Sequence, residues 1–104
     1  MSNHFGISAS SYNQLIGYFQ ANSKVERVVI FGSRAKGSYK VGSDIDLAIY
    51  GSGITALDVM DISSTLNEEL PIPYKIDVVC PVFLHDDALL GHIERVGITI
   101  YSRG

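Results

Sequence analysis

Residues 32–47 constrain this 104-residue chain more than any other segment. They follow an apolar run, residues 25–31, whose β-branched and aromatic side chains predict a buried strand. Gly32 ends that strand, and glycine allows positive φ and a close backbone approach to a phosphate. Ser33 occupies a position typical of a helix N-cap, and Gly37 a position typical of a C-cap. We therefore predict a short helical turn here whose free N–H groups favour an anion.

The segment that follows is basic. Residues 34–43 carry Arg34, Lys36 and Lys40 and no acidic residue, which favours phosphate nearby. Taken singly, each of the three is more often a solvated charge than a specific ligand. We expect solvated side chains, with one or two contacting phosphate or a partner protein. Ser43 is expected to hydrogen-bond the backbone where the next strand begins, or to orient Asp44.

Two carboxylates follow at alternating positions of a second strand, residues 44–50. Because side chains at i and i+2 share one face of a strand, Asp44 and Asp46 should project together, with Cα atoms roughly 7 Å apart. Two neighbouring carboxylates repel each other unless a cation or a proton lies between them. Mg²⁺ commonly binds through one or two carboxylates together with substrate phosphates. The pattern therefore favours a site for a nucleoside triphosphate and divalent metal.

A third acidic residue lies in the extended segment of residues 74–79. Lys75, Asp77 and Val79 should share one face of that strand, and Ile76 and its alternate neighbours the other. Asp77 joins the carboxylate pair if the two strands are neighbours in the sheet. Lys75 either pairs with Asp77 or meets the nucleotide, and the sequence does not decide between these roles.

Each feature alone has an ordinary structural explanation. A Gly-Ser pair after a strand is usually only a turn, and an Asp-x-Asp pair is more often a solvated strand face than a metal site. Asp77 by itself would be read as a hydrogen-bonded or edge-exposed acid. The joined pattern, with its fixed spacing, instead favours a nucleotide or metal site.

Residues 32–47 resemble the Gly-Ser-x10-Asp-x-Asp signature of the nucleotidyltransferase, or polymerase-beta-like, superfamily, and the short chain is similar to the minimal nucleotidyltransferases of the MNT antitoxin group. The resemblance covers most of the chain. It implies that Gly32 and Ser33 contact the triphosphate of ATP, and that Asp44 and Asp46 hold two Mg²⁺ ions. It implies that Asp77 is the third metal ligand and the base toward the attacking hydroxyl.

The same resemblance implies a partner. In the MNT antitoxin group, a HEPN-family RNase toxin is neutralised when a tyrosine near its active site receives AMP, and the two chains assemble as a hetero-oligomer. The predicted core accounts for nearly the whole sequence, so we expect a second chain to act as acceptor or to complete the pocket. An exposed apolar patch should then be present.

Two alternatives from other classes stay open. One is a small-molecule adenylyltransferase resembling the enzymes that modify aminoglycosides, although no second domain is evident. The other is a non-catalytic module that blocks its partner by contact alone, although pure binding does not need clustered acids. No segment indicates which nucleobase is bound.

The remaining pattern predicts a compact α/β (α+β) fold. We expect helices at residues 11–21, 55–70 and 85–95, the first capped by Ser10 or Ser11 and the second by Thr55. Pro71 and Pro73 end the second helix, and residues 97–101 form a last strand. The sequence thus predicts a single nucleotidyltransferase domain over residues 1–104. It should contain a small mixed β-sheet with helices on one face and the carboxylates on the open face.

Composition excludes several other classes. A net charge of −3 and a pI near 5.4 argue against direct nucleic-acid binding, which needs a broadly basic surface. No signal peptide or apolar run of membrane-spanning length is evident, so a cytoplasmic protein is expected. Cys80 is expected to be an inert core thiol. His4, His85 and His92 lack metal-ligand spacing.

Overall fold

The computed structural model describes residues 5–103, which form a four-stranded sheet flanked by helices. The helices are α1 (Ala9–Ala21), α2 (Gly32–Lys36), α3 (Ala56–Ser64) and α4 (Asp87–Val96), and the strands are β1 (Arg27–Phe31), β2 (Ile45–Tyr50), β3 (Ile76–Val79) and β4 (Ile98–Ser102). A π-helical turn, Thr65–Glu69, extends α3, and a 3-10 turn, Pro81–Phe83, follows β3.

The sheet is mixed, as predicted. Its strand order is β3-β2-β1-β4, with β1 antiparallel to both β2 and β4 and with β2 parallel to β3. A parallel pair needs a long crossover, and α3 supplies it between β2 and β3. The predicted fold class is confirmed, and so is the condition on which the third carboxylate depended, namely that its strand pairs with β2.

The larger core lies on one face of the sheet, beneath α1 and α3. Leu15 and Phe19 of α1 and Ile62 of α3 are buried there against inward-facing strand residues. The strand residues of this cluster are Val28, Ile30, Ile45, Leu47, Ile49 and Ile76. Their alternation along β1 and β2 explains why this face excludes water.

The opposite face is partly covered by α4, which differs from the expectation of helices on one face only. Ile93 of α4 packs against Val29, Phe31 and Ala48 in a smaller apolar cluster. The physical reason lies in β1, which is apolar at four consecutive positions and therefore needs cover on both faces. The carboxylate face is consequently covered in part and is not open along its whole length.

Helix caps account for two boundaries. Ser8 caps α1, with its Oγ accepting from the Ser11 N–H at 3.2 Å, so the predicted caps at Ser10 or Ser11 were wrong. Thr55 caps α3 as predicted, in a reciprocal capping box with Asp58. The helix predicted over residues 55–70 is α3 followed by the π turn.

Between residues 5 and 103, none of the helices has both the length and the apolar character required to cross a membrane.

Candidate functional site

Two of the predicted site residues lie side by side in the sheet. Asp46 of β2 and Asp77 of β3 are direct partners in the parallel register, and both side chains are partly exposed. Alternation places both on the face that carries α4, because Ala48 of β2 belongs to the α4 cluster. The predicted convergence of these two carboxylates is therefore present in the fold.

The electrostatic state of Asp46 reflects this crowding. Burial raises the pKa of the Asp46 carboxyl above its ordinary value, and the negative charges of Asp77 and then Asp44 raise that pKa further. The charges of His92 and Arg34 act in the opposite direction and are smaller effects. A partly buried carboxylate with two acidic neighbours is a position where a cation would be stabilised.

Asp44 does not lie in β2, as the sequence had suggested, but in the loop immediately before it. Its side chain is nevertheless close enough to influence the pKa of Asp46. Within residues 5–103, no three His, Cys, Asp or Glu side chains are already gathered as a metal-ligand group. Oxygen ligands from a bound phosphate would be needed to complete the coordination of a hard cation here.

Gly32 packs directly against Asp46. Its φ is +74°, and a Cβ added at this position would overlap Oδ2 of Asp46 and lie 3.1 Å from its Cγ. Phe31, the residue before Gly32, is the register partner of Asp46. Glycine is thus required here for two reasons, its conformation and the close approach of Asp46.

Ser33 lies inside the first turn of α2 and is not its N-cap, which corrects the sequence interpretation. The N-cap position is Phe31, which makes no side-chain capping bond. The predicted end of the helix is right, because Gly37 adopts φ +84° and its N–H donates to the Ser33 carbonyl. With Gly32 turning the chain sharply after β1, the helix starts two residues earlier than predicted, at Gly32.

Arg34 is buried, and the expectation that it is a solvated charge was wrong. Its side chain donates to the Ser43 carbonyl at 2.7 and 3.2 Å and to the Phe5 carbonyl at 2.9 Å. The guanidinium also lies over the rings of Tyr39 and Tyr74, 5.2 and 5.0 Å from their centroids. Because Ser43 precedes Asp44, Arg34 ties α2 to the backbone that carries the first carboxylate.

Replacing Arg34 with lysine is expected to lower the free energy of unfolding by about 3 kcal/mol, since a lysine cannot reproduce the forked hydrogen bonds to carbonyls. Urea unfolding followed by circular dichroism measures the change. Lys36→Ala is the matched control, because Lys36 is exposed on the same helix and its removal should cost less than about 0.5 kcal/mol. Equal midpoints for the two variants would contradict a structural role for Arg34.

The other basic residues and Ser43 behave more simply. Lys36 and Lys40 are exposed, as expected, and the Lys40 N–H donates to Ser43 Oγ at 2.8 Å, so the predicted backbone bond of Ser43 is confirmed. Lys75 Nζ lies 3.9 Å from Oδ1 of Asp77, with both side chains largely exposed. Of the two roles left open for Lys75, pairing with Asp77 is the one present, as a weak surface ion pair.

His92 is a neighbour of the site that the sequence did not reveal. It lies on α4, its ring meets Phe31 edge-on with centroids 6.1 Å apart, and its charge lowers the pKa of Asp46. Nothing in the sequence indicated this position, because His92 and Ile93 are consecutive on α4 and consecutive helical residues do not share a face. His85 is exposed, and His4 lies outside the described residues.

Cys80 is buried in the larger core, and burial raises the pKa of its thiol. A thiol in that state is a poor nucleophile, which agrees with the expected inert role.

Comparison with known proteins defines the class of protein to which this chain belongs. The fold, with a Gly-Ser turn beside carboxylates on neighbouring strands, is that of a nucleotidyltransferase. The model of the family described as polymerase beta, nucleotidyltransferase, matches residues 13–104, so the chain belongs to this family and the predicted superfamily is confirmed. No match is found among curated protein sequences.

Solved structures share this fold at low sequence identity. A crystal structure of a toxin–antitoxin with AMP-PNP matches with a TM-score of 0.72 and 20% identity, covering 88% of this chain and 73% of that chain. A tri-AMPylated Shewanella oneidensis HEPN toxin in complex with MNT antitoxin matches with a TM-score of 0.66 and 17% identity, over 89% and 71% of the two chains.

A Sulfolobus solfataricus protein described as a nucleotidyltransferase matches with a TM-score of 0.54 and 22% identity, over 91% and 78% of the two chains. At these identities the likeness shows a shared fold.

Proposed function

We propose that this protein transfers AMP from ATP to a hydroxyl of a partner protein, a tyrosine of a HEPN RNase toxin, with release of pyrophosphate, and acts as the antitoxin of that pair. Membership of the polymerase beta nucleotidyltransferase family supports the reaction class. The fold likeness to a toxin–antitoxin with AMP-PNP and to an MNT antitoxin bound to an AMPylated HEPN toxin supports the nucleotide and the partner.

The register of Asp46 and Asp77 is the observation that carries the proposal. Sheet pairing places the two carboxylates next to each other, and Asp77 and Asp44 both raise the pKa of Asp46. This repulsion would be relieved by Mg²⁺, for which Asp44, Asp46 and Asp77 supply the hard oxygen ligands. When bound, two such ions stabilise negative charge on the attacking and departing oxygens of a phosphoryl transfer.

The protein groups have separate tasks in this proposal. Gly32 and Ser33 place backbone N–H groups of α2 against the β- and γ-phosphates and hold the triphosphate still. Asp46 is partly buried and the charges of the other two acidic residues both act on it, so it is the central carboxylate of the proposed site. Asp77 is 46% exposed at its side chain, so an incoming hydroxyl can reach it and pass its proton to a carboxylate oxygen. Most of the rate gain would come from this positioning.

A partner chain would need an apolar surface, and large apolar side chains are exposed at several places on the described chain. Leu57 and Met60 of α3 are 75% and 66% exposed, and Val82 and Phe83 after β3 are 74% and 45% exposed. In the proposal, residues 1–104 act as one catalytic domain and work in the cytoplasm, where ATP is available. Assembly with the toxin as a hetero-oligomer belongs to the same proposal.

Asp44→Asn is expected to abolish AMP transfer, because the amide removes one of three anionic ligands without changing side-chain size. The purified protein is incubated with ATP, Mg²⁺ and a HEPN protein encoded by the adjacent gene, and intact-mass spectrometry follows the partner. We expect one or more AMP units on the partner with the wild type and none with the variant.

Asp61→Asn is the matched control, since Asp61 is an exposed carboxylate on α3 away from the site. It should transfer AMP as the wild type does. A tight complex without any mass increase would favour inhibition by binding alone. Neither a complex nor a mass increase would point to a small-molecule acceptor such as an aminoglycoside. Full transfer by Asp44→Asn would remove the metal-ligand role of Asp44.

A further inference from the structure

The strand that carries Asp77 lies at the edge of the sheet and is short. β3 spans Ile76–Val79 and pairs only with β2 among the strands of the described chain. The Ile45 N–H donates to the Lys75 carbonyl at 2.8 Å, so the backbone at Lys75 faces β2. By alternation, the N–H and carbonyl of Ile76 face the open edge, where a strand usually leaves them to water.

Asn67 takes the place of the missing strand at that edge. Its Oδ1 accepts from the Ile76 N–H at 2.8 Å, and its Nδ2 donates to the Ile76 carbonyl at 2.8 Å. A second Nδ2 bond runs to the Ser63 carbonyl, also at 2.8 Å. Since an N–H only donates and a carbonyl only accepts, one orientation of the amide satisfies all three bonds. Both polar atoms of the Asn67 amide, Oδ1 and Nδ2, are therefore hydrogen-bonded.

The π turn explains how Asn67 reaches β3. The Leu70 N–H donates to the Thr65 carbonyl, five residues earlier, at 3.2 Å. This wider turn interrupts the regular progression of α3, and single π turns are frequent where a helix serves a functional site. Glu68, the next residue, remains exposed and bonds only to Ser64 of its own helix among the bonds seen in residues 5–103. The π turn thus positions the side-chain amide of Asn67 beside the backbone of Ile76.

We infer that Asn67 is a positioning residue for Asp77, a role that rests on the proposed function. Ile76 pairs with Ile45 and is followed directly by Asp77, which pairs with Asp46. Clamping Ile76 on its outer side fixes where β3 begins and keeps the parallel register from shifting or fraying. The Asp77 carboxylate then stays beside Asp46 when cation and nucleotide bind. Supporting residues of this kind typically change metal affinity or activity by about 10- to 100-fold.

The test compares Asn67→Ala with Glu68→Ala, which removes a neighbouring surface side chain without touching β3. Hydrogen exchange of the Asp77 and Val79 amides, which face β2, measures the order of β3, and electron paramagnetic resonance with Mn²⁺ measures ion affinity without turnover. We expect Asn67→Ala to speed exchange at both amides and to weaken Mn²⁺ about 10- to 100-fold. In AMP transfer, kcat should fall while the KM for ATP stays within about twofold, since Gly32 and Ser33 are unaffected.

Asn67→Gln keeps both the amide donor and the acceptor but displaces them by one methylene group, so its exchange rates and Mn²⁺ affinity should lie between those of the wild type and Asn67→Ala. This variant also serves if the alanine variant does not fold. Exchange and affinity in Asn67→Ala equal to those of Glu68→Ala would overturn the positioning role while leaving the proposed function intact. If the wild type binds no Mn²⁺, the proposed function fails, and slow Asp77 exchange that is unchanged by Asn67→Ala would still overturn the clamp.

Discussion

Asp46→Asn is expected to abolish nucleotidyl transfer, by about 1,000-fold or more, while making the folded protein more stable at neutral pH. Burial and the charges of Asp77 and Asp44 raise the pKa of the Asp46 carboxyl, so its ionised form destabilises the fold. The amide removes that charge and keeps the shape. The two effects therefore move in opposite directions, which a general folding defect cannot produce.

The pH dependence follows from the same raised pKa. The folded state holds a proton on Asp46 more tightly than the unfolded chain does, so this contribution is fully present below the ordinary pKa of 3.8. It is lost as the pH rises through the higher pKa of the folded state. The stability advantage of Asp46→Asn over the wild type should consequently grow across that window and become constant above it, as measured by urea unfolding at a series of pH values.

Asp58→Asn is the matched comparison, because the shift there has the opposite sign. A hydrogen bond from the Thr55 backbone and then one from the Lys24 side chain lower the pKa of Asp58. Its contribution to stability is present above the ordinary value and is lost as the pH falls through the folded pKa. Asp58→Asn should therefore lose stability at neutral pH and keep transfer activity. An Asp46→Asn variant that is less stable than the wild type would contradict the proposed crowding of carboxylates.

The carboxylate face was predictable from local chemistry, but the pairing behind it was not. Alternation along β2 and β3 fixed which side Asp46 and Asp77 take, because a strand offers only two faces. That β3 lies next to β2 is a long-range property of the crossover through α3. The continuous apolar run of β1 did signal cover on both faces, yet nothing local identified α4 as the second cover.

The structural roles of three residues were not predicted from the sequence, and for one shared reason. Arg34, Asn67 and His92 are polar side chains whose partners lie far away in sequence or on other elements, and polar residues in turns and helices are usually solvated. The Arg34 side chain finds carbonyls at Phe5 and Ser43, and Asn67 finds the edge of β3 through a π turn. Hydrogen bonds of this kind satisfy backbone groups that the strands leave open, so they follow from the assembled fold and not from a pattern in the sequence.

Gly32→Ala is expected to remove nucleotidyl transfer and to lower the free energy of unfolding by about 3 kcal/mol. The residue has φ +74°, and a Cβ would overlap Oδ2 of Asp46. Asp46 must then leave its position beside Asp77, or the start of α2 must move away from the proposed phosphate site. Either shift separates the triphosphate contacts from the carboxylates, and a displacement of about 1 Å can cost 100-fold in rate.

Gly37→Ala separates the effect of backbone strain from the effect of contact with Asp46. Gly37 has φ +84° at the other end of α2 and open space around its Cα. Gly37→Ala should lower the free energy of unfolding by only about 1–2 kcal/mol, because alanine is strained in this left-handed conformation, and it should retain transfer. Chemical unfolding and AMP transfer measured on both variants distinguish backbone strain from contact with Asp46. If Gly32→Ala resembled Gly37→Ala in both measurements, the close approach of Asp46 to this glycine would have no part in the chemistry. If only Gly32→Ala lost transfer, the need for glycine at this position would be explained by the Asp46 carboxylate that it accommodates.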